Sequence, residues 1–436
     1  MSDGKGPWWR ETVVYQLYPR SFMDANGDGI GDLEGIIGKL DYLKDLGVET
    51  IWSSPFYASP QVDVGYDISD YRSIAPEYGD LDTAQRLIDA VHARGMRIVF
   101  DMVMNHTSDQ HPWFLQSRSS RDNPKRDWYV WRDGRKPGGK APPNNWNAMI
   151  GGSGWHYDAG TDQWFWTQFL PCQPDLNYRN PEVVAEMLAT MRFWLDRGVD
   201  GFRLDIVNAL FEDAEFRDNP FAWKLIPSDE DPSMLFQAPA NTLNHPDTIA
   251  FMKVLRATID AYQDPPRFLV GEVNAPIEWV RAHLGENADG LNLAFAFKTL
   301  TSKLTGPDIR EIVAEYEAKF PDPFLPTWVF SNHDRARRIF RLGDDFERAK
   351  LNAAWQFTAR GVPFVYMGEE IGMTQRRIPA RDSRDALVHK MAWVPQFAHD
   401  ALGEFRPDAV GPRHHCLVLR HNRAVQFRAI QRRQYR

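Results

Sequence analysis

The sequence predicts an α/β fold, a (β/α)8 barrel with an irregular insert after its third strand. Three observations carry this. Short apolar runs alternate with amphipathic stretches, the pattern of a parallel sheet built from βα units. The runs number eight, the count at which such a sheet closes on itself. Several of them end on acids, Asp101, Asp205, Glu272 and Asp334, as barrel strands do where a site is built at their C-terminal ends.

In chain order, strands are expected at 13–18, 50–52, 97–102, 201–204, 268–272, 291–295, 328–331 and 364–367. Each is short and bounded by turn residues or a polar end. Helices fit between them at 33–46, 83–94, 181–197, 246–261, 308–320 and 346–359. A βα unit takes roughly 30 residues. The stretch from Asp101 to Asp205 carries about 70 more than one unit needs. That surplus falls between His106 and Gln173, is rich in Trp, Gly, Pro and Asn, and reads as a small irregular subdomain. A second surplus, from Asn208 to Asn244, is a polar loop. Both sit on the C-terminal face.

The 436 residues are 43% hydrophobic and 25% charged, which excludes a largely disordered chain. A net charge of -8 leaves no basic excess for a phosphate backbone, so nucleic acid is not an expected partner. Cys172 and Cys416 cannot build a disulfide framework or a four-cysteine zinc site, and buried free thiols are expected. No apolar h-region opens the chain and no 18-residue apolar run occurs, so no signal peptide or membrane span is read, and the cytoplasm is the expected location. From Phe405 to Arg436 there are eight Arg, three His and one acid, Asp408, with no alternation or helical stripe. That segment reads as a solvated basic arm or a non-native terminus.

The polar strand ends carry the chemistry. Strand three runs on to His106, strand four holds Arg203 and Asp205, strand five ends at Glu272, and strand seven leads to His333 and Asp334. Carboxyl groups around one pocket suit glycoside cleavage, in which one attacks the anomeric carbon or activates water and another protonates the leaving oxygen. Arg203 is expected to hold Asp205 ionised by opposite charge. Glu272 follows an apolar run, a setting that suits a proton donor. His106 and His333 can donate to sugar hydroxyls. The rival is a metal set of the amidohydrolase kind from Asp101, His106, Asp205, Glu272 and His333. It wants His-x-His on strand one, which reads Val14, Tyr15, Gln16, Leu17, Tyr18. After strand one, Asp24, Asn26, Asp28 and Asp32 alternate through glycines like a calcium loop, but the twelfth position is Gly35 and no helix precedes it. An EF-hand is rejected. A single structural Ca2+ or Mg2+ loop and a metal-free polar turn both remain.

These residues resemble the α-amylase superfamily, and within it the α-glucosidase and oligo-1,6-glucosidase branch. The matching segments are 101–106 (DMVMNH), 201–208 (GFRLDIVN), 270–274 (VGEVN) and 330–334 (FSNHD). Segment 173–177 (QPDLN), the opening 15–22 with its acidic loop, and 63–71 (DVGYDISDY) are similar to that branch. The resemblance runs from about residue 8 to residue 395. It implies Asp205 as nucleophile of a covalent β-glucosyl intermediate, Glu272 as acid/base, and Asp334 as a third acid on the 2- and 3-hydroxyls. It implies Asp63, Tyr66, His106, Arg203 and His333 as the wall of the pocket for the terminal glucose. It implies Asp24, Asn26, Asp28, Ile30 through its carbonyl, and Asp32 as ligands of structural calcium, with Mg2+ as alternative and no cofactor in catalysis.

The resemblance also implies, after 366–372 (YMGEEIG), a segment whose Arg pairs with Asp63, an eighth barrel helix and a C-terminal β-sandwich. The sequence matches none of these, so the last helix and sandwich are expected to be missing and strand eight to expose apolar surface. The division that results is barrel at 1–104 and 175–403, insert at 105–174, and an atypical tail at 404–436. The function implied is a retaining exo-α-glucosidase acting on terminal α-linked glucose of short oligosaccharides or sucrose-like glucosides, with transglucosylation. Alternatives are a glucosyl transferase or sucrose isomerase of the same superfamily, an inactive truncated relative, and a non-catalytic binding subunit, against which the intact acids argue.

Overall fold

The computed structural model describes residues 7–135, 138–228 and 230–375. Eight parallel strands form one sheet: Val14–Leu17, Thr50–Ser53, Arg97–Val103, Gly201–Asp205, Phe268–Gly271, Leu293–Ala294, Thr327–Val329 and Val362–Tyr366. Numbered one to eight, they lie in the order six-five-four-three-two-one-eight-seven. All eight expected strands are present. Strands six and seven are the ends of the hydrogen-bonded ladder, and the Thr327 hydroxyl spans the gap between them. It donates to the Ala294 carbonyl at 3.1 Å and accepts from the Ala296 N–H at 3.1 Å.

The barrel is filled with side chains. Val14, Trp52, Val99, Phe268, Leu293 and Phe364, from six different strands, pack into one buried cluster with Trp9 at its edge. Strand four enters so closely that a Cβ on Gly201 would stand 2.1 Å from the Phe268 carbonyl oxygen, so only glycine fits there.

Outside the ring the helices bury one stripe each. Leu81–Ala93 turns Ala84, Leu87, Ile88 and Val91 inward, a helical spacing, and starts at Asp80, whose carboxylate accepts the Thr83 N–H at 2.8 Å. Pro181–Leu195 and Pro246–Asp260 both begin with proline at a position whose N–H has no helical partner, capped by Asn180 and His245. Gly306–Lys319 and Phe346–Thr358 complete the long helices. The single helix expected over 33–46 is two, Leu33–Gly38 and Leu40–Leu46, broken where Lys39 leaves helical geometry and its N–H turns back to the Ile36 and Ile37 carbonyls. A short helix, Ile277–His283, links strands five and six where the sequence carries too brief a stripe to read.

The insert holds a helix, Pro112–Ser119, and a three-stranded antiparallel sheet of Trp131–Arg132, Gln163–Trp166 and Trp155–Asp158. Its tryptophans form their own core: Trp146, Trp155 and Trp166 pack with Val130. All five residues of strand eight are buried, where the sequence reading expects apolar exposure. Cys172 is a free thiol, as expected, but half-buried rather than buried. Cys416, the expected loss of the last helix and β-sandwich, and the tail at 404–436 lie outside the described residues. Among the described residues no helix is long and apolar enough to cross a membrane.

Candidate active site

At the mouth of the barrel one guanidinium gathers three carboxyl groups. Arg203 and Asp205 lie two apart on strand four, so their side chains share a face. Arg203 Nη1 reaches Asp205 Oδ1 at 2.7 Å and Asp101 Oδ1 and Oδ2 at 2.8 and 3.0 Å. Its Nη2 donates to Glu272 Oε2 from the end of strand five. Asp101 is further held by the Trp52 indole N–H at 3.2 Å and the Tyr66 hydroxyl at 3.0 Å. Arg203 is 1% exposed, so the cluster works in a medium far less polar than water.

One cation among three carboxyls cannot hold all of them ionised. Burial raises Asp205 well above the ordinary carboxylate range; Arg203 pulls it down, while Glu272 and Asp101 push it up. Burial lifts Asp101 to about 6 against the pull of Arg203. The sequence reading gave Arg203 to Asp205 alone. Arg203 is shared instead, and desolvation, which no motif displays, outweighs it.

Two histidines stand in the same mouth in different states. His333 Nδ1 accepts from the Gln16 side-chain amide at 2.8 Å, which leaves the ring proton on Nε2, 3.5 Å from Asp334 Oδ1. Its ring stacks on Tyr66 at 5.3 Å and 7°. His106 Nδ1 donates to Asn105 Oδ1 at 2.9 Å, and its Nε2 accepts from Gln173 Nε2 at 3.1 Å. Burial pushes both rings down to about 3, so both are neutral at pH 7. Of the two histidines expected to donate to sugar, His333 has a proton to offer and His106 spends its own on Asn105.

Gln173 also donates to Asp63 Oδ2 at 2.8 Å, joining Asp63 to His106 across the floor. Asp63 is placed by Asp67, which accepts from the Val62 and Asp63 N–H groups at 2.9 and 3.0 Å. Burial first, then Asp67 and Asp334, push Asp63 up to about 8, with Gln173 opposing. Asp334 lies at the rim, its N–H on Asn332 Oδ1 at 3.1 Å. All eight residues expected at the catalytic centre and pocket wall are thus brought to one mouth. Gln16, Trp52, Asp101 and Gln173 belong there too. Gln173 stood inside a recognised segment, but a neutral amide gives no sign of its role until its two partners are in place.

The acidic loop lies apart from this site. Asp24 accepts the Gly27 and Gly29 N–H groups at 2.7 and 2.9 Å, Asn26 Oδ1 accepts that of Asp28 at 2.8 Å, and Asp28 accepts that of Ile30 at 2.8 Å. Asp32 caps helix Leu33–Gly38 through Gly35 N–H at 2.6 Å. Among the described residues, no three His, Cys, Asp or Glu side chains converge to hold a metal ion. The oxygens expected to take calcium serve the loop's own backbone here. The donor set is nonetheless oxygen-only, as a hard cation requires, and two of its five members, Asn26 and the Ile30 carbonyl, are of other types.

A parallel barrel with five acids at its C-terminal mouth, three of them bonded to one arginine, and two histidines beside them defines a glycoside hydrolase site. The model of the alpha amylase catalytic domain matches residues 16–397, and the chain belongs to that family. It is 41% identical over 392 residues to a probable alpha-glucosidase of Rhizobium meliloti (strain 1021), covering 87% of this chain and 70% of that one. It is 40% identical over 398 residues to the oligo-1,6-glucosidase of Parageobacillus thermoglucosidasius, covering 87% and 68%. Among solved structures, the alpha-glucosyl transfer enzyme XgtA superposes with a TM-score of 0.82 at 40% identity, covering 88% of this chain and 72% of that one.

Proposed function

We propose that this chain is a retaining exo-α-glucosidase that releases terminal glucose from short α-linked oligosaccharides. One observation carries the reading: Asp205 and Glu272 sit on the two arms of a single guanidinium. That proximity suits the carboxyl spacing of a double displacement, about 5–5.5 Å, better than the roughly 6.5–9.5 Å of inverting enzymes. Asp205 attacks the anomeric carbon as the glycosidic C–O bond breaks, and the Glu272 proton passes to the leaving oxygen. Water then gives its proton to Glu272 and its oxygen to the anomeric carbon, and Asp205 is released.

Burial on one side of the mouth suits exo action: Asp63 and Tyr66 are buried there, with His106 and Gln173 behind them, and offer polar atoms to one terminal glucose. His333 and Asp334 face the sugar from the rim. Glucosyl transfer, the activity XgtA is named for, needs the same intermediate taken by a sugar hydroxyl in place of water, and sucrose isomerisation would use it likewise. The loop of Asp24, Asn26, Asp28, Ile30 and Asp32 is proposed to hold one Ca2+, which would tie the loop without entering the chemistry. The test is proton NMR of the glucose released from nitrophenyl α-glucoside, which yields one glucose per turnover. α-Glucose forming before mutarotation supports the reading, and β-glucose overturns it.

A further inference from the structure

Gln16 is a polar residue turned into the apolar interior of the barrel. It stands two after Val14 on strand one, and a strand turns such residues to one face. Val14 packs in the cluster that fills the barrel, whereas Tyr15 and Leu17 pack with the residues outside it. Gln16 is buried, and its backbone is held on both sides, opposite Trp52 of strand two and Tyr366 of strand eight. A buried amide is costly unless it is bonded, so its partners bear on why it is there. Its Nε2 carries two hydrogens and meets two acceptors, Ser54 Oγ at 3.4 Å and His333 Nδ1 at 2.8 Å.

The far side of the same imidazole agrees with this direction. His333 Nε2 stands 3.5 Å from Asp334 Oδ1. Turning the amide over would present its oxygen to the ring, move the ring proton to Nδ1 and leave a bare Nε2 lone pair facing a carboxylate oxygen. With the amide nitrogen inward, both ends of the ring pair a donor with an acceptor. The aromatic neighbours do not make this choice. Tyr66 stacks on the ring at 5.3 Å and 7°, Tyr18 lies at 5.7 Å and 58°, and Trp52 at 6.4 Å and 79°. They fix the plane of the imidazole, but a ring face does not distinguish Nδ1 from Nε2.

We infer that Gln16 is a positioning residue of the reaction: its amide holds the His333 proton on Nε2, so that the ring offers the terminal glucose a neutral hydrogen-bond donor. This rests on the glucosidase reading. The tautomer of a neutral histidine is set by the bond that its other nitrogen makes. Burial pushes the His333 ring down to about 3, so the donor carries no charge across the neutral range. A bare Nε2 can only accept. Beside Asp334 the pocket would then present two acceptors to a hydroxyl that has one proton, and one buried acceptor would go unbonded.

Nitrogen NMR of the chain labelled at histidine reads the tautomer directly, with the His333 signals assigned by their loss in His333→Ala. The unmodified chain at pH 7 should show a protonated Nε2 and a bare Nδ1. Gln16→Met, similar in length but without a donor, should populate both tautomers and lower kcat/KM on nitrophenyl α-glucoside by about tenfold, the worth of one buried hydrogen bond. In the His333→Ala background the same change should cost less than about twofold. Gln16→Glu adds a readout that packing alone would not move. At low pH the new carboxyl and the ring share two protons, and Nε2 keeps one. As pH rises one proton leaves, the other settles between the carboxylate and Nδ1, and Nε2 is bared. The kcat/KM of Gln16→Glu should therefore fall with rising pH relative to the unmodified chain. Arg203, Glu272, Asp334, Tyr18 and Tyr66 face the ring in both proteins and are common to both profiles. Parallel profiles, a proton on Nδ1 in the unmodified chain, or an unchanged tautomer in Gln16→Met overturn the inference. The NMR needs no turnover, so the two readings fail separately. A chain that hydrolyses no α-glucoside, but whose His333 tautomer shifts in Gln16→Met, refutes the glucosidase reading alone. One that turns over with His333 protonated on Nδ1 refutes the positioning role alone.

Discussion

Arg203 Nη1 lies 2.7 Å from the Asp205 carboxylate, and the same nitrogen is bonded to Asp101. The residue that steadies the nucleophile is therefore also the clamp that holds the mouth together. Arg203→Lys should lose both kcat and fold stability, because an ammonium cannot span three carboxyls with a fixed fork. Breaking a buried charge cluster costs about 3–5 kcal/mol, and urea unfolding of the variant should show it. A lysine variant with native stability would mean that the carboxyls are held by other groups.

Asp205→Asn and Glu272→Gln should both stop turnover of natural sugars, for different reasons. Without its nucleophile the chain cannot form the intermediate from any substrate. Without its acid it loses about 100- to 10,000-fold on maltose but much less on nitrophenyl glucoside, whose leaving group needs no proton. Equal losses on the two substrates would remove Glu272 from the acid role.

Gln173→Leu should raise KM by about tenfold with a smaller change in kcat, since Asp63 and His106 lose their shared donor while the reacting carboxyls keep theirs. Steady-state kinetics on a disaccharide would read this. A loss confined to kcat would place Gln173 in the chemistry itself.

The pH dependence of stability has two opposing parts. His106 and His333 stay neutral in the fold down to about 3, whereas unfolded histidine takes a proton near 6.5, so stability falls as pH drops from about 6.5 towards 3. Asp63, at about 8 in the fold and about 3.9 unfolded, holds its proton across that interval, so its contribution falls away as pH rises from about 3.9 and is gone above about 8. Thermal unfolding from pH 4 to 9 should show stability rising towards pH 6.5 and falling from there to about 8, and Asp63→Asn should remove the fall above 6.5.

Chelation should lower the melting temperature and leave the rate of the surviving folded protein little changed, because the acidic loop stands apart from the mouth. Asp28→Ala, at an exposed side chain, should abolish the sensitivity to chelator. Activity lost at constant stability would point to a metal in catalysis.

The strands were legible because each is a short apolar run closed by a polar end, and the long helices because 14-residue stripes such as that of Gly306–Lys319 repeat enough to read. The two-residue strand of the insert, Trp131–Arg132, is fixed by pairing with Phe165 and Trp164 from a distant segment, which local pattern does not carry. Asp101, Asp205, Glu272, Asp334, His106 and His333 could be picked out by their place at strand ends, whereas Asp63 and Tyr66 came only through the family resemblance. What could not be read was apportionment: Arg203 divided among three carboxyls, His106 turned to Asn105, Gln173 spanning to Asp63. Those follow from burial and three-dimensional spacing, which one-dimensional motifs do not record.

The central claim is that Asp205 carries the glucose covalently. Incubation with a fluorinated glucosyl fluoride that slows release of the intermediate, followed by proteolysis and mass mapping, tests it most directly. One glucosyl unit should appear on the peptide containing Asp205, and should be absent from Asp205→Asn. A label on Glu272 or Asp334, or no label with turnover intact, would contradict the account.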